Sequence, residues 1–318
     1  MGSLCVPAPP ISADDVRAHT RQPWPLPAGG DTRARWSALE ALAQHDLPLA
    51  KLVEPHHDAI AILADLDSAP AASDDVWAVW AAEPPFAVLT AEERSGHWTV
   101  SGRKAFCSGA DVASHALVTA QTPTGSRLVA VDLASHGVTV DADDHPWAGP
   151  GMARASTVTL AFAGVPAEPV GEPGAYTDRP GFWWGAIGIA AIWLGGARGV
   201  AQPLERAAGR LDAHGLAHLG AVRAELDSLG LVLDAAASLA DEGRLEAAEV
   251  ERLALVVRDR ASAVVDSVVT RVGRALGPAP LAFDAAHAAR VVDLQVFVRQ
   301  HHAERDQARL GSWGDADA

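Results

Sequence analysis

Four groups of residues in this chain combine side-chain type and spacing in ways that could support chemistry. Asp284 ends the segment PLAFD and stands nine residues before Asp293. A loop carboxylate can remove a substrate proton if it lies within hydrogen-bond reach and has a suitable pKa. The same Asp precedes AAHAARVV, where an Asp is also a strong helix N-cap, and the cap carries more weight on local sequence alone. The second group is KAFCSGA (104–110), which sets an aromatic ring, Phe106, two residues before a hydroxyl, Ser108. Its bland alternative is a strand–turn–strand with a buried Phe. EPHHD (54–58) and RQHHAE (299–304) bring His and acid together. Adjacent histidines on a helix point apart, and neither segment has an i, i+4 His pair, so both read as polar helix faces or interface residues and no metal site is expected. Cys107 has no paired His within its motif, so a nucleophilic role is not expected. Together with Cys5 it makes neither a disulfide framework nor a tetrahedral zinc site.

The chain around these groups has 318 residues, 49% of them hydrophobic, enough for two or three domains with their own cores. Its net charge of −15 argues against nucleic acid or an anionic membrane as partner. The apolar run GAIGIAAIWLGG (185–196) is too short for a bilayer, which needs about 20 apolar residues, and reads as a buried helix. No secretory pattern opens the chain, and two isolated thiols suit a reducing compartment, so a cytoplasmic protein is expected.

The elements that must position the candidate residues fall into three blocks. Residues 1–30 read as an irregular lead-in. Residues 31–75 read as two or three helices, with Asp31 or Thr32 as the first N-cap, closed by SAPAASDD (68–75). Residues 76–172 carry short β-rich runs separated by turn signals, a pattern for a barrel or sandwich. Residues 181–312 read as a helical bundle. Apolar residues recur three or four apart from Leu219 to Leu239, Glu249–Leu276 and His287–Leu310 read as long helices, and GPAPLAFD (277–284) reads as non-helical between them. If the apolar stripes were exposed on a monomer they would form a large patch, which implies a homo- or hetero-oligomer.

The order helices, β domain, helical bundle resembles the acyl-CoA dehydrogenase superfamily, an α+β architecture. So do three local sequences: GHWTVSGRKAFCSGADVASHALVTA (96–120), WAVWAAEPP (77–85) and DLQVFVRQHHAERDQARLG (293–311). The resemblance spans roughly residues 35–311. It implies an FAD-dependent oxidoreductase acting on the CH–CH group of an acyl-CoA-like thioester or related small molecule. It places Phe106 beside the flavin, Ser108 near its N5, and Glu83 and Pro84 in a second flavin loop. Ala82 stands where the family has a hydroxyl residue, leaving a backbone amide, and Gly277 is the remnant of a Gly-rich element. Asp284 takes the place of the catalytic base. The family's Arg-x-x-Phe-Gly signature is missing, since residues 206–220 read RAAGRLDAHGLAHLG; Arg206 or Arg210 could stand in for its Arg. These departures keep two alternatives open, a non-catalytic partner subunit and a flavin monooxygenase or oxidase on the same fold. Trp147 and the Trp183–Trp184 pair could border a ligand cavity.

Overall fold

Ser12 and Asp15 close a capping box: the Ser12 hydroxyl accepts from the Asp15 amide and the Asp15 carboxylate accepts from the Ser12 amide. Two otherwise unmatched donors are thereby satisfied. The helix they start, α1 (Ala13–Thr20), lies within the stretch expected to be irregular, and local capping chemistry is the reason. The computed structural model of the chain describes residues 9–69, 74–143 and 147–314; Cys5 lies outside them, as does part of SAPAASDD.

Helices α2 (Thr32–His45) and α3 (Leu47–Asp65) follow. Asp31 gives α2 no side-chain cap; instead Asp241, far along the chain, accepts from the amides of Gly30 and Thr32 and from the Thr32 hydroxyl. Asp46 caps α3 by accepting from the Leu49 amide.

Seven strands come next: β1 (Trp77–Trp80), β2 (Leu89–Arg94), β3 (His97–Cys107), β4 (His115–Thr122), β5 (Gly125–Asp132), β6 (Val138–Val140) and β7 (Val158–Val170). Their order is β1-β4-β2-β3-β7-β5, with β6 on β7, and β5 also pairs with β4. That last pairing closes the sheet into a barrel, the form that removes open edges. Its interior is filled from alternate positions by Val100, Val118, Val129, Leu160, Phe162 and neighbours. Lys104 is buried there too, its ammonium held by the Thr119 carbonyl (2.6 Å) and hydroxyl (2.8 Å), and burial pulls its pKa down to about 8.

The C-terminal part contains α4 (Ala175–Asp178), α5 (Gly181–Arg206), α6 (Ala213–Glu242), α7 (Ala247–Leu276), α8 (Ala279–Phe283), α9 (Ala285–Phe297) and α10 (Glu304–Gly311). Helix α5 is long and apolar enough by composition to cross a membrane, yet 78% of its most apolar window is buried inside the chain, as the central core helix. Gly195 and Gly199 let α5 press on α2, where a Cβ on Gly195 would strike the Glu40 carbonyl and one on Gly199 would sit 2.9 Å from the Gln44 carbonyl. The stripe Leu219, Val222, Leu226, Leu229 and Leu233 belongs to the same core as α5 and α7, so it is satisfied within one chain and leaves no patch of the kind the sequence suggested. Two further expectations change. GPAPLAFD contains a helical turn, α8, because Pro278 and Pro280 sit at its start, where a missing amide costs nothing. The helix expected over His287–Leu310 breaks after Phe297 into a 3₁₀ turn (Val298–Gln300) and resumes at α10, with Ala303 at φ 42°.

Candidate active site

Strand β3 carries one residue more than its partner β7 between Lys104, opposite Leu160, and Cys107, opposite Val158. Such a bulge bends the strand and re-aims a side chain. Phe106 is the residue affected: its φ is 60°, uncommon for a bulky side chain, and it is 51% exposed. Its ring meets Phe86 edge to face, with centroids 6.2 Å apart. Two residues on, the Ser108 hydroxyl shares a 2.9 Å hydrogen bond with the Thr157 hydroxyl, and its carbonyl accepts from the Trp80 indole at 3.1 Å. Two hydroxyls joined by one bond keep a proton free to donate elsewhere.

Phe106, Ser108 and Thr157 line a cavity of about 990 Å³. The barrel also contributes Trp80, Ala81 and Ala82 from the end of β1, and the segment before β7 contributes Trp147 and Met152. Met152 is fixed by its amide, which donates to the buried Asp293 carboxylate at 2.5 Å. Burial raises the Asp293 pKa. From the helical side come Trp183 and Ile189 of α5, Arg258 of α7, Phe297 at the end of α9, and His302 and Arg305 beyond it. The break after Phe297 turns this last segment across the cavity instead of letting it run on as one rod.

Of the residues singled out in the sequence, the fold brings Ala82, Phe106 and Ser108 together on one wall, with Trp147 and Trp183 on the same cavity. Trp184 is in the core. Glu83, Pro84, Gly277 and Asp284 are not part of the lining. Glu83 accepts from the Ser126 hydroxyl at 2.9 Å. Gly277 ends α7 at φ 67° and ψ −162°, a conformation for glycine alone. Asp284 caps α9: its side chain accepts from the His287 amide at 3.0 Å. Cys107 is buried with its thiol directed at the Lys104 carbonyl.

Of the two readings of the EPHHD segment, a polar helix face or interface residues, the polar face does not hold, since Glu54, His56 and His57 are all buried. His57 Nε2 donates to the His19 carbonyl (3.1 Å), its ring stacks on Trp24, and His56 Nδ1 accepts from the Trp77 amide (3.3 Å). Burial holds their pKa values at about 4 for His56 and about 3 for His57, so both rings are neutral joints between α1, α3 and β1. His301 in the second His pair is buried also, whereas His302 lines the cavity.

Sequence reasoning missed a polar cluster on α3. Lys51, Glu54 and Asp58 line the cavity with Tyr176 and Arg179 from the α4 segment. Arg179 is held by Asp58 (3.2 Å) and Asp65 (2.9 Å). Burial, reinforced by Asp58, lifts the Glu54 carboxyl to about 7. The signal was present: three charged residues at positions 51, 54 and 58 form a single stripe on an otherwise apolar helix.

No protein-family model and no curated protein sequence matches the chain. Solved structures do. TdsC from Paenibacillus sp. A11-2, in a complex with FMN and indole, superposes with a TM-score of 0.75 at 21% identity, over 90% of this chain and 84% of that one. KijD3, in complex with FMN and a dTDP-linked amino keto sugar, gives 0.77 at 20% identity over 91% and 81%. Butyryl-CoA dehydrogenase from Megasphaera elsdenii gives 0.75 at 18% identity over 89% and 82%. The chain has the acyl-CoA dehydrogenase fold. Within this acyl-CoA dehydrogenase fold the cavity lies where α3, one end of the barrel and the C-terminal helices meet, so each of the three blocks read from the sequence supplies a wall.

Proposed function

We propose that the cavity holds a flavin and that the chain is a flavin-dependent oxidoreductase of small organic substrates. The observation that carries this reading is the β3 bulge, which spends backbone strain to present Phe106 to open space beside the Ser108–Thr157 hydroxyl pair. A flat tricyclic ring needs such an apolar face with a hydrogen-bond donor next to it. The fit extends to size: a cavity of about 990 Å³ is large for a water-filled defect and suits a cofactor with a substrate. Phe106 would hold the ring by its face, Ser108 and Thr157 would offer a hydroxyl proton to it, and the Ala82 backbone would line its other side.

When bound, a flavin supplies hydride or electron transfer at its ring, and in reduced form it can activate dioxygen. The protein's share is to exclude water with Trp80, Trp147 and Trp183 and to orient the substrate between them. Between the two reactions the resemblance offered, oxygen-dependent chemistry is favoured over dehydrogenation of a thioester. The carboxylate that dehydrogenation would assign as base, Asp284, is committed to the α9 cap and lies off the cavity wall. The FMN complexes of TdsC and KijD3 support the same preference, and they support FMN at least as well as FAD. The proposal extends to assembly: Leu281 and Phe283, exposed together on α8, support an association surface between chains.

The test is the visible spectrum of the purified protein, followed by mass analysis of whatever heat releases. Flavin bands with FMN or FAD in the released fraction uphold the reading. A colourless protein that takes up neither on incubation overturns it and favours a partner-subunit role.

A further inference from the structure

Glu54 is the cavity residue that the fold's own interactions leave unexplained. It is only 9% exposed and its carboxylate makes no hydrogen bond or ion pair among the described residues, yet it lines the cavity. A buried carboxylate is costly unless something pairs with it. The cations on neighbouring elements are engaged elsewhere: Arg179 from the α4 segment with Asp58 and Asp65, and Arg35 from α2 with the Pro25 carbonyl at 3.2 Å. Lys51, one turn earlier on α3, also lines the cavity and makes no ion pair at contact distance among the described residues, though its charge and that of Glu54 act on each other. An ammonium and a carboxylate on one helical stripe, both turned to the cavity and not joined to each other, leave room for a third group between them. The remaining charges that act on Glu54 are Asp58, Arg35 and Arg179, and the phenol of Tyr176 shares the cavity.

The rest of the lining describes the molecule that would bring that third group. Trp147, Trp183 and Phe182 line it with aromatic rings, and such walls favour stacking or edge contacts with another ring. We propose that Glu54 is a general base of this cavity, with Lys51 as its electrostatic partner, acting on a planar aromatic substrate that carries a weakly acidic O–H or N–H. The inference rests on the proposed flavin-dependent reading only for its setting as a reaction site. The proton moves from the substrate oxygen or nitrogen to a Glu54 carboxylate oxygen, and the bonding pair stays on the substrate. The Lys51 ammonium balances the anion formed. No oxidation occurs in this step; it makes the ring richer in electrons before any oxidation. A base must be poised near the working pH to serve, and Glu54 is raised into that range by burial.

The test uses the whole chain as purified, its Glu54→Gln and Lys51→Met variants, and 4-nitrophenol, whose colour reports its own ionisation. Bound to the wild type, 4-nitrophenol should stay in its yellow anionic form at pH values where the free compound is protonated. Gln at position 54 removes a charge that opposes the phenolate, so in Glu54→Gln the bound probe should ionise at lower pH than in the wild type, a rise in anion-to-neutral ratio of about tenfold, the factor one pKa unit represents. Lys51→Met, which removes the cation that favours the anion, should move it the opposite way. Infrared titration should show a carboxylic C=O band that changes near neutral pH in the wild type and is missing in Glu54→Gln. Binding of the probe only in neutral form, no binding, or an infrared band unchanged by Glu54→Gln would each overturn the proposal. Flavin content is read from the same samples. A colourless protein that passes these tests would sink the flavin reading and leave Glu54 as base, while a flavin-loaded protein that fails them would sink the base alone.

Discussion

Phe106 holds a backbone conformation that costs an L-residue about 1–2 kcal/mol. If the strain serves a bound ring, Phe106→Gly should stabilise the cofactor-free protein by about 1 kcal/mol in a denaturant titration while reducing flavin retention. Loss of both stability and flavin would mean that Phe106 supports the fold. Asp284 makes the opposite kind of prediction. As a cap, its replacement by Asn should be nearly silent and its replacement by Ala should cost about 1 kcal/mol, with flavin content unchanged in both. Abolished turnover in Asp284→Asn with full stability would restore it as the base. Glu54 predicts a pH dependence. Its folded pKa, about 7, lies above the ordinary carboxylate value of 4.5, so the folded chain binds more protons than the unfolded one between these limits. Its contribution to stability is therefore fully present below about pH 4.5 and is lost as pH rises through about 7. Glu54→Gln should melt at a higher temperature than wild type at about pH 8, and the advantage should vanish towards about pH 4. A gap between the two proteins that does not change with pH would remove the titrating group.

At the level of elements, the helices were legible where packing and sequence period agree. The Leu219–Leu239 stripe and Glu249–Leu276 became α6 and α7 because the apolar residues spaced three or four apart along each face one core. The strands were legible as runs that suit a barrel or a sandwich, and the choice between the two was not, because the β4–β5 pairing that closes the barrel leaves no mark on either run. The bulge at Phe106 was invisible for a related reason: an extra residue is defined only against a partner strand, and the register of β7 is set by residues about fifty positions away. The capping box at Ser12 and the charged stripe on α3 were readable in principle and were masked by a Pro-rich setting and by the His pair. The close approach of α2 and α5 gives this scale its prediction. Gly195→Val must displace the Glu40 carbonyl, and overpacking of this kind costs about 1–3 kcal/mol, more where backbone must move. Thermal melts should show the loss, and Gly220→Ala on exposed α6, where an added Cβ meets nothing, should show none. Equal melting of the two variants would mean that α5 and α2 slide apart without penalty.

For the molecule as a whole, the site is a meeting place: α3, the bulged end of the barrel and the broken C-terminal helix each supply a wall, and no block read alone would contain it. The resemblance in the sequence located the barrel wall, because Ala82, Phe106 and Ser108 sit in short motifs. It did not locate the α3 wall, where the polar residues are spread over two helical turns. Assembly is the other whole-molecule question, and here the apolar stripe first suspected of forming an interface is spent inside the chain. Among the large apolar side chains left exposed, the most exposed is on α8, where Phe283 is 89% exposed and Leu281 47% exposed two residues apart; Leu231 on α6, 70% exposed, is another. Large apolar side chains clustered on a surface mark contact sites in soluble proteins. Phe283 ends the one turn of α8, which two prolines start, is 89% exposed, and precedes the Asp284 cap, so it can be changed without touching the core. Sedimentation at micromolar concentration should therefore show a dimer or larger species for the wild type and a shift towards monomer for Phe283→Asp, with the far-UV helical signal unchanged. A monomeric wild type would remove α8 as an interface. A Phe283→Asp protein that stays associated would place the contact on another face.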